Sequence, residues 1–157
     1  MAEMEVERVP RRVIVGIDFS EPSRRALEAA AALARETGAP LMAMHVIEPP
    51  PPFPSEAELP LLDPAWTQAM AREAEGKLDA WLGPFATWLS AYAGASAKVV
   101  WGRPAARLVE EAGPGDLLVL GPSGASAARR LLLGSTSTAV ARHARCDVLL
   151  SRGESAS

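Results

Sequence analysis

The stretch Val13-Ile14-Val15-Gly16-Ile17, which runs directly into Asp18-Phe19-Ser20-Glu21-Pro22-Ser23, decides the fold. Its apolar residues are mostly β-branched and do not alternate with polar ones, which is typical of a strand covered on both faces in a parallel sheet. Ser20 can cap a helix whose first turn accommodates Pro22, and Gly38 can end that helix. The stretch therefore predicts the strand, turn and helix that begin a βαβ unit.

The rest of the chain continues this alternation of strands and helices. Further strands are predicted at 41–47, 97–101, 116–120 and 146–150, and further helices at 65–82, 85–92, 105–112 and 134–145. Regular alternation predicts a doubly wound α/β fold, an open five-stranded parallel sheet with helices on both faces. The aromatic stripe Trp81, Phe85, Trp88, Leu89 and Tyr92 is predicted to pack on the sheet.

Residues 48–64 contain seven prolines and are predicted to form a long surface loop, because proline lacks the N–H donor that helices and central strands need. Such a loop can be a lid or binding segment, and a polyproline stretch can equally be a stiff spacer, so both interpretations stay open. The tail, residues 151–157, is predicted to be flexible.

Length and composition exclude several classes of protein. The 157 residues predict one domain over 1–157, and 48% hydrophobic with 22% charged residues is a globular composition. A net charge of −3 disfavours nucleic acid as a partner. The single cysteine, Cys146, excludes an internal disulfide and agrees with a reducing compartment. No apolar stretch approaches the length of a membrane span, so we expect a soluble, cytoplasmic protein without a membrane partner.

A phosphate-binding segment is predicted after the fourth strand, because ligands of open parallel sheets lie beyond the carboxyl ends of the strands. The segment contains Gly121-Pro122-Ser123-Gly124, nine further residues, and Gly134-Ser135-Thr136-Ser137-Thr138. The first two glycines allow close approach of backbone to a ligand. Gly134 and the hydroxyl residues open a helix, whose free N–H groups and dipole favour an anion.

Other nucleotide and enzyme motifs do not fit. A Walker A loop needs lysine after the glycine, where this chain has Ser135. The dinucleotide fingerprint needs three glycines after the first strand, where only Gly16 is present. Residues 121–124 are one residue short of a nucleophile elbow. A receiver domain would need an acidic residue at the end of the third strand, and Trp101 stands there.

Taken together, the residues resemble the universal stress protein family, and specifically its nucleotide-binding branch. Gly121, Gly124, Gly134 and Ser135 match the spacing Gly-x2-Gly-x9-Gly-Ser/Thr, and the landmarks from Val15 to Gly121 follow in the family's order. The resemblance implies a sheet ordered 3-2-1-4-5, ATP as ligand with or without Mg²⁺, and a homodimer formed through the fifth strand, Cys146–Leu150.

The resemblance also implies a set of site residues. Asp18 would lie near the adenosine, where a carboxylate suits the ribose hydroxyl donors, and the backbone of Val46 would meet the adenine edge. The implied nucleotide-binding residues in full are Asp18, Val46, Gly121, Ser123, Gly124, Gly134, Ser135, Thr136 and Ser137. No catalytic residue and no metal ligand is assigned.

Structural roles compete with these assignments. Ser135 can be a simple helix cap and Asp18 a local turn former, while His45 and His143 are expected to be structural or surface residues. Pro122 and Ser123 replace the hydroxyl and cationic residues usual in similar proteins, and Arg129 and Arg130 either compensate or are solvated.

Three functions follow from these observations. The first is an ATP-binding stress-response or regulatory protein, in which the nucleotide acts as ligand or switch. The second is a slow Mg²⁺-dependent ATPase in the same pocket, although no residue is an evident base for water. The third is a structural dimerisation module that binds no nucleotide.

Overall fold

The computed structural model describes residues 9–49, 61–122 and 133–152 of the chain. The strands are β1 (Val13–Ile17), β2 (Leu41–Ile47), β3 (Ala95–Trp101), β4 (Leu117–Leu120) and β5 (Asp147–Leu150). The helices are α1 (Glu21–Thr37), α2 (Pro64–Leu82), α3 (Ala86–Ala91), α4 (Pro104–Glu111) and α5 (Ser135–His143), with a 3₁₀ turn, Gly83–Phe85, between α2 and α3.

The strands form one parallel sheet in the order β3-β2-β1-β4-β5. Val13 of β1 is in register with Leu41 on one side and Leu117 on the other. The chain builds outward from β1 to β3, then returns to the other side of β1 for β4 and β5. The strand order therefore reverses between β1 and β4, which confirms the predicted doubly wound sheet and locates its crevice.

Helix α1 begins and ends where the sequence predicts. The hydroxyl of Ser20 accepts a hydrogen bond from the Ser23 N–H at 3.2 Å, and Pro22 lies in the first turn, where its missing donor costs nothing. Gly38 ends the helix with φ of 71°, a left-handed conformation that side chains disfavour. The start of α1 is thereby held beside the carboxyl end of β1.

Helices cover the two faces of the sheet with separate apolar layers. Helices α1, α2 and α3 pack on one face around residues such as Leu27 and Leu78, and the predicted aromatic stripe packs against this layer. On the other face, Leu108 of α4 and Val140 of α5 pack against Ile14 and Leu118. The two layers bury most of β1 and β4, with only Gly16 and Leu117 partly exposed, which explains why these strands lack alternation.

The observed boundaries differ from the predicted ones by one or two residues at several ends. β3 begins earlier, at Ala95, whereas β5 begins at Asp147 rather than Cys146. Pro64 is the first residue of α2 instead of the last residue of the loop, because proline suits a first helical turn. α5 ends at His143, before extended Ala144.

Residues 50–60 of the proline-rich segment and 153–157 of the tail lie outside the described residues. The organisation of the chain as one domain stays a prediction.

No helix among the described residues is long and apolar enough to cross a lipid bilayer.

An ion-pair network ties the chain together at the amino-terminal edge of the sheet. Arg12, next to β1, donates to Glu111 Oε1 at 2.9 Å and to Asp116 Oδ2 at 2.9 Å, and Lys98 of β3 donates to Glu111 Oε2 at 2.6 Å. The hydrogen bond from Lys98, reinforced by Arg12, holds the pKa of Glu111 below its ordinary value despite burial. Burial raises the pKa of Asp116, but hydrogen bonds from Arg12 and the Gly113 N–H outweigh it and lower the pKa overall.

These lowered pKa values predict a loss of stability in acid. A carboxylate whose folded pKa is depressed stabilises the protein above its unfolded pKa, and this stabilisation is lost as the pH falls through the folded pKa. The contribution of these two carboxylates to the unfolding free energy should therefore be constant above about pH 5.5 and decline below the ordinary values of 4.5 for Glu111 and 3.8 for Asp116. Arg12→Met should flatten that decline and cost roughly 1–2 kcal/mol at pH 7.

Urea unfolding of both proteins at pH 7 and pH 4 measures the effect. Arg25→Met is the matched control, because Arg25 meets Glu21 at 3.7 Å in an exposed pair and should leave stability and its pH dependence nearly unchanged. An acid slope that is the same with and without Arg12 would contradict the assignment.

Candidate functional site

A cleft of about 370 Å³ opens at the carboxyl ends of β1, β2 and β4, where the strand order reverses. This volume is within the range of small-molecule sites, about 300–1,000 Å³. The cleft is lined from β1 and α1 by residues 16–18, 20 and 23, from β2 by 44–46 and 48, from α4 by 104 and 108, from β4 by 120–122 and from α5 by 135–137. The sequence predicted a ligand-binding crevice at this location.

Asp18 leaves β1 and lies exposed at the cleft. Its Oδ1 accepts hydrogen bonds from the N–H of Ser20 at 3.0 Å and from the Ser20 hydroxyl. One carboxylate oxygen therefore builds the turn, as the structural interpretation of Asp18 predicts. Among the described residues none donates to Oδ2, so this second oxygen can accept from a ligand while the first holds the turn.

The first turn of α5 presents its polar groups to the cleft. Gly134 is the buried N-cap residue and, having no side chain, leaves the N–H groups of the first turn without a side-chain cap. Ser135 is exposed and Thr136 half-buried, whereas Ser137 is buried and donates its hydroxyl to the carbonyl of Gly121 at 3.1 Å. Two of the three hydroxyls are thus available to a ligand, and the third fastens α5 to the end of β4.

Gly121, which lines the cleft, is required by the packing of α1. A Cβ at this position would lie 2.5 Å from the carbonyl oxygen of Pro22 and 2.6 Å from its carbon, closer than real Cβ contacts. The glycine therefore lets the first turn of α1 approach the end of β4. The glycine was predicted to allow close approach of a ligand, whereas its contact with Pro22 was not predicted.

Most of the predicted site residues come together at this cleft. Asp18, Val46, Gly121, Ser135, Thr136 and Ser137 line it. Gly134 directly precedes α5. Ser123 and Gly124 lie outside the described residues, as do Arg129 and Arg130.

Several lining residues were not predicted. Ser20, Ser23, Glu48 and Pro104 face the cleft. His45 also lines it, and its Nδ1–H donates to the carbonyl of Ile17 at 2.8 Å. The sequence does contain a signal for two of these residues. Glu48 directly follows β2 and Pro104 begins the helix after β3, and the carboxyl ends of parallel strands meet at one edge of the sheet, so both residues could have been predicted to lie near the cleft.

The remaining candidate side chains do not join the cleft. His143 is exposed at the end of α5. Cys146 is partly buried against the apolar layer of α4 and α5, and burial raises the pKa of its thiol, as expected of a packing residue. Among the described residues no three His, Cys, Asp or Glu side chains are grouped closely enough to hold a metal ion.

The fold and cleft define an open, doubly wound α/β protein with its candidate ligand site at the reversal of strand order. Within this class, the model of the universal stress protein family matches residues 10–152, and the chain belongs to that family. The resemblance to this family that the sequence motifs indicated is thereby confirmed.

Relatives and solved structures agree with this membership. The chain is similar to a universal stress protein of Thermus aquaticus, 31% identical over 144 residues that cover 90% of this chain and 98% of the relative. It also spans 45% of the length of mycobacterial universal stress proteins that it matches.

Among solved structures, UspA from Lactobacillus plantarum is 27% identical with a TM-score of 0.68, covering 90% of this chain and 97% of that one. A universal stress protein solved in complex with cAMP is 31% identical with a TM-score of 0.55, covering 90% and 96%.

Proposed function

We propose that the cleft binds an adenine nucleotide, with ATP as the ligand the sequence motif favours, and that the nucleotide acts as a regulatory ligand. One observation carries the proposal: the carboxylate of Asp18 and the hydroxyl-rich first turn of α5 face the same cleft at the reversal of strand order. The relative solved with cAMP supports an adenine nucleotide as the class of ligand.

The nucleoside end of the ligand fits the side of the cleft formed by β1 and β2. Ribose hydroxyls are donors, and Asp18 Oδ2 offers an acceptor that the turn does not use. Val46 and Leu108 are buried apolar residues in the lining and suit the faces of a base.

The phosphate end fits α5. The N–H groups of its first turn lack intrahelical partners, the helix dipole adds partial positive charge, and Ser135 and Thr136 add hydroxyl donors. Neutral donors of this kind can hold phosphate in a domain whose net charge is −3. Mg²⁺ would neutralise part of the charge of a di- or triphosphate.

The proposal is tested by the nucleotide content of the purified protein. We expect denaturation and chromatography of the supernatant to release adenine nucleotide. Protein stripped of ligand should give heat in calorimetric titrations with ATP, AMP or cAMP, with and without Mg²⁺, and less with GTP. No released nucleotide and no heat from any adenylate would overturn the proposal.

The same preparations separate the two alternative functions. Steady phosphate release that Ser135→Ala abolishes would support a slow ATPase. A protein that binds no nucleotide but dimerises would support the structural module. The proposed dimer uses the outer strand β5, where Leu149 is 37% exposed, and sedimentation over a range of concentrations tests it.

A further inference from the structure

Phe19, between Asp18 and Ser20 in the turn from β1 to α1, has an unusual backbone. Its φ is 64°, and among the described residues it is the one non-glycine residue with positive φ. This left-handed conformation brings Cβ close to the following carbonyl and is unfavourable for a bulky side chain. Surrounding contacts must therefore hold it.

Those contacts come from two other elements. The Phe19 ring lies 4.4 Å from the ring of His45 on β2 and 6.2 Å, edge to face, from Trp81 on α2. The Lys77 ammonium of α2 lies 4.4 Å from the centre of the Phe19 ring. Aromatic pairs and a cation over a ring are each favourable, so together they offset the backbone cost.

The groups that hold the ring are themselves fixed. His45 donates to the carbonyl of Ile17, one residue before Asp18. The Arg24 guanidinium lies 4.2 Å from the Trp81 ring centre and donates to the Trp81 carbonyl at 3.2 Å. The ring of Phe19 is thus packed between the sheet and α2.

Neighbouring side chains of this turn point in different directions, toward the cleft or toward the core. Asp18 and Ser20 line the cleft, whereas Phe19 packs against the apolar layer of α1, α2 and α3. If Phe19 adopted a negative φ, the directions of its two neighbours would change. The hydrogen bonds from Ser20 to Asp18 Oδ1 would then be lost together with the direction of Oδ2.

We propose that Phe19 is a positioning residue, whose packed ring holds the turn in the left-handed conformation that presents the Asp18 carboxylate to an adenine nucleotide. This inference rests on the proposed function. If Phe19 has this role, α2 also influences the shape of the cleft, because its residues Lys77 and Trp81 hold the Phe19 ring.

Two substitutions distinguish the effect of the backbone conformation at position 19 from the effect of the ring contacts. Phe19→Ala and Phe19→Gly delete the same ring contacts, but glycine adopts positive φ freely and alanine does not. We expect Phe19→Ala to weaken adenine-nucleotide binding about tenfold and Phe19→Gly about threefold or less, measured by calorimetry. Phe19→Tyr should bind like the parent protein.

A measurement without ligand makes the test independent of the proposed function. Amide hydrogen exchange at Ser20, whose N–H bonds to Asp18 Oδ1, should accelerate in Phe19→Ala more than in Phe19→Gly. Equal exchange rates in the parent protein and Phe19→Ala, or weaker protection in Phe19→Gly than in Phe19→Ala, would overturn the positioning role. Absence of nucleotide binding by the parent protein would instead overturn the proposed function and leave the exchange comparison to decide the role of Phe19.

Discussion

Gly121→Ala is expected to lower the free energy of unfolding by roughly 2–3 kcal/mol in the absence of any ligand. The added Cβ would lie 2.5 Å from the Pro22 carbonyl oxygen and 2.9 Å from the Pro22 Cβ. Since most of this contact is backbone, relief requires the first turn of α1 to move away from β4. The hydrogen bond from Ser137 to the Gly121 carbonyl would be strained by the same movement.

Chemical denaturation of the ligand-free protein measures the effect. Gly76→Ala is the matched control: Gly76 lies within α2, and none of the described residues outside its own helical turn lies within 4 Å of an added Cβ. It should raise stability by about 0.5–1 kcal/mol, because alanine is the better helix former. If Gly121→Ala were as stable as the parent protein and impaired only nucleotide binding, the glycine would serve the ligand rather than the packing of α1.

Ser135→Glu is expected to weaken adenine-nucleotide binding by about tenfold to a hundredfold without lowering stability. Like charges about 5 Å apart at an effective dielectric constant of about 20 repel by roughly 3 kcal/mol, and exposure of the site reduces this. Each 1.4 kcal/mol is about tenfold in affinity. The same glutamate lies favourably at a helix N-terminus, so loss of binding cannot be attributed to unfolding of α5.

Ser135→Gln is the control, because it has the size of glutamate without its charge. Calorimetric titration of the three proteins should give a loss of a few-fold for glutamine and a much larger loss for glutamate, and the difference should shrink at high salt. Equal affinity of the glutamate and glutamine variants would place the phosphates away from α5. Because the experiment assumes that the parent protein binds nucleotide, it refines the proposed site rather than establishing it.

The order of the elements could be predicted because the signals are local. The run Val13–Ile17, the Ser20 cap and the Gly38 stop each depend on neighbouring residues, and the structure places them as predicted. One boundary error lies where a distant partner intervenes. Asp116 was predicted to begin β4, but it is drawn into the network with Arg12, 104 positions away.

Only part of the candidate site could be predicted, because some of its residues are brought there by strand register rather than by a local signal. The rule that ligands lie at the carboxyl ends of parallel strands located the cleft, and Asp18 and Ser135 both line it. His45 was expected to be a structural histidine. It does bond the Ile17 carbonyl, but it also lines the cleft, because the register of β1 and β2 brings it there.

By itself, the sequence determined the class of fold, the family and the edge of the sheet at which the cleft opens, since these follow from residue type and spacing. Only the tertiary structure decided what individual groups are free to do. It uses the Ser137 hydroxyl to fasten α5, needs Gly121 for the approach of α1, and packs Phe19 under Lys77. The physical reason is that a hydrogen-bonding group or a packed surface that already has a partner cannot also serve a ligand. Whether a group can contact a ligand therefore depends on partners that are distant along the chain.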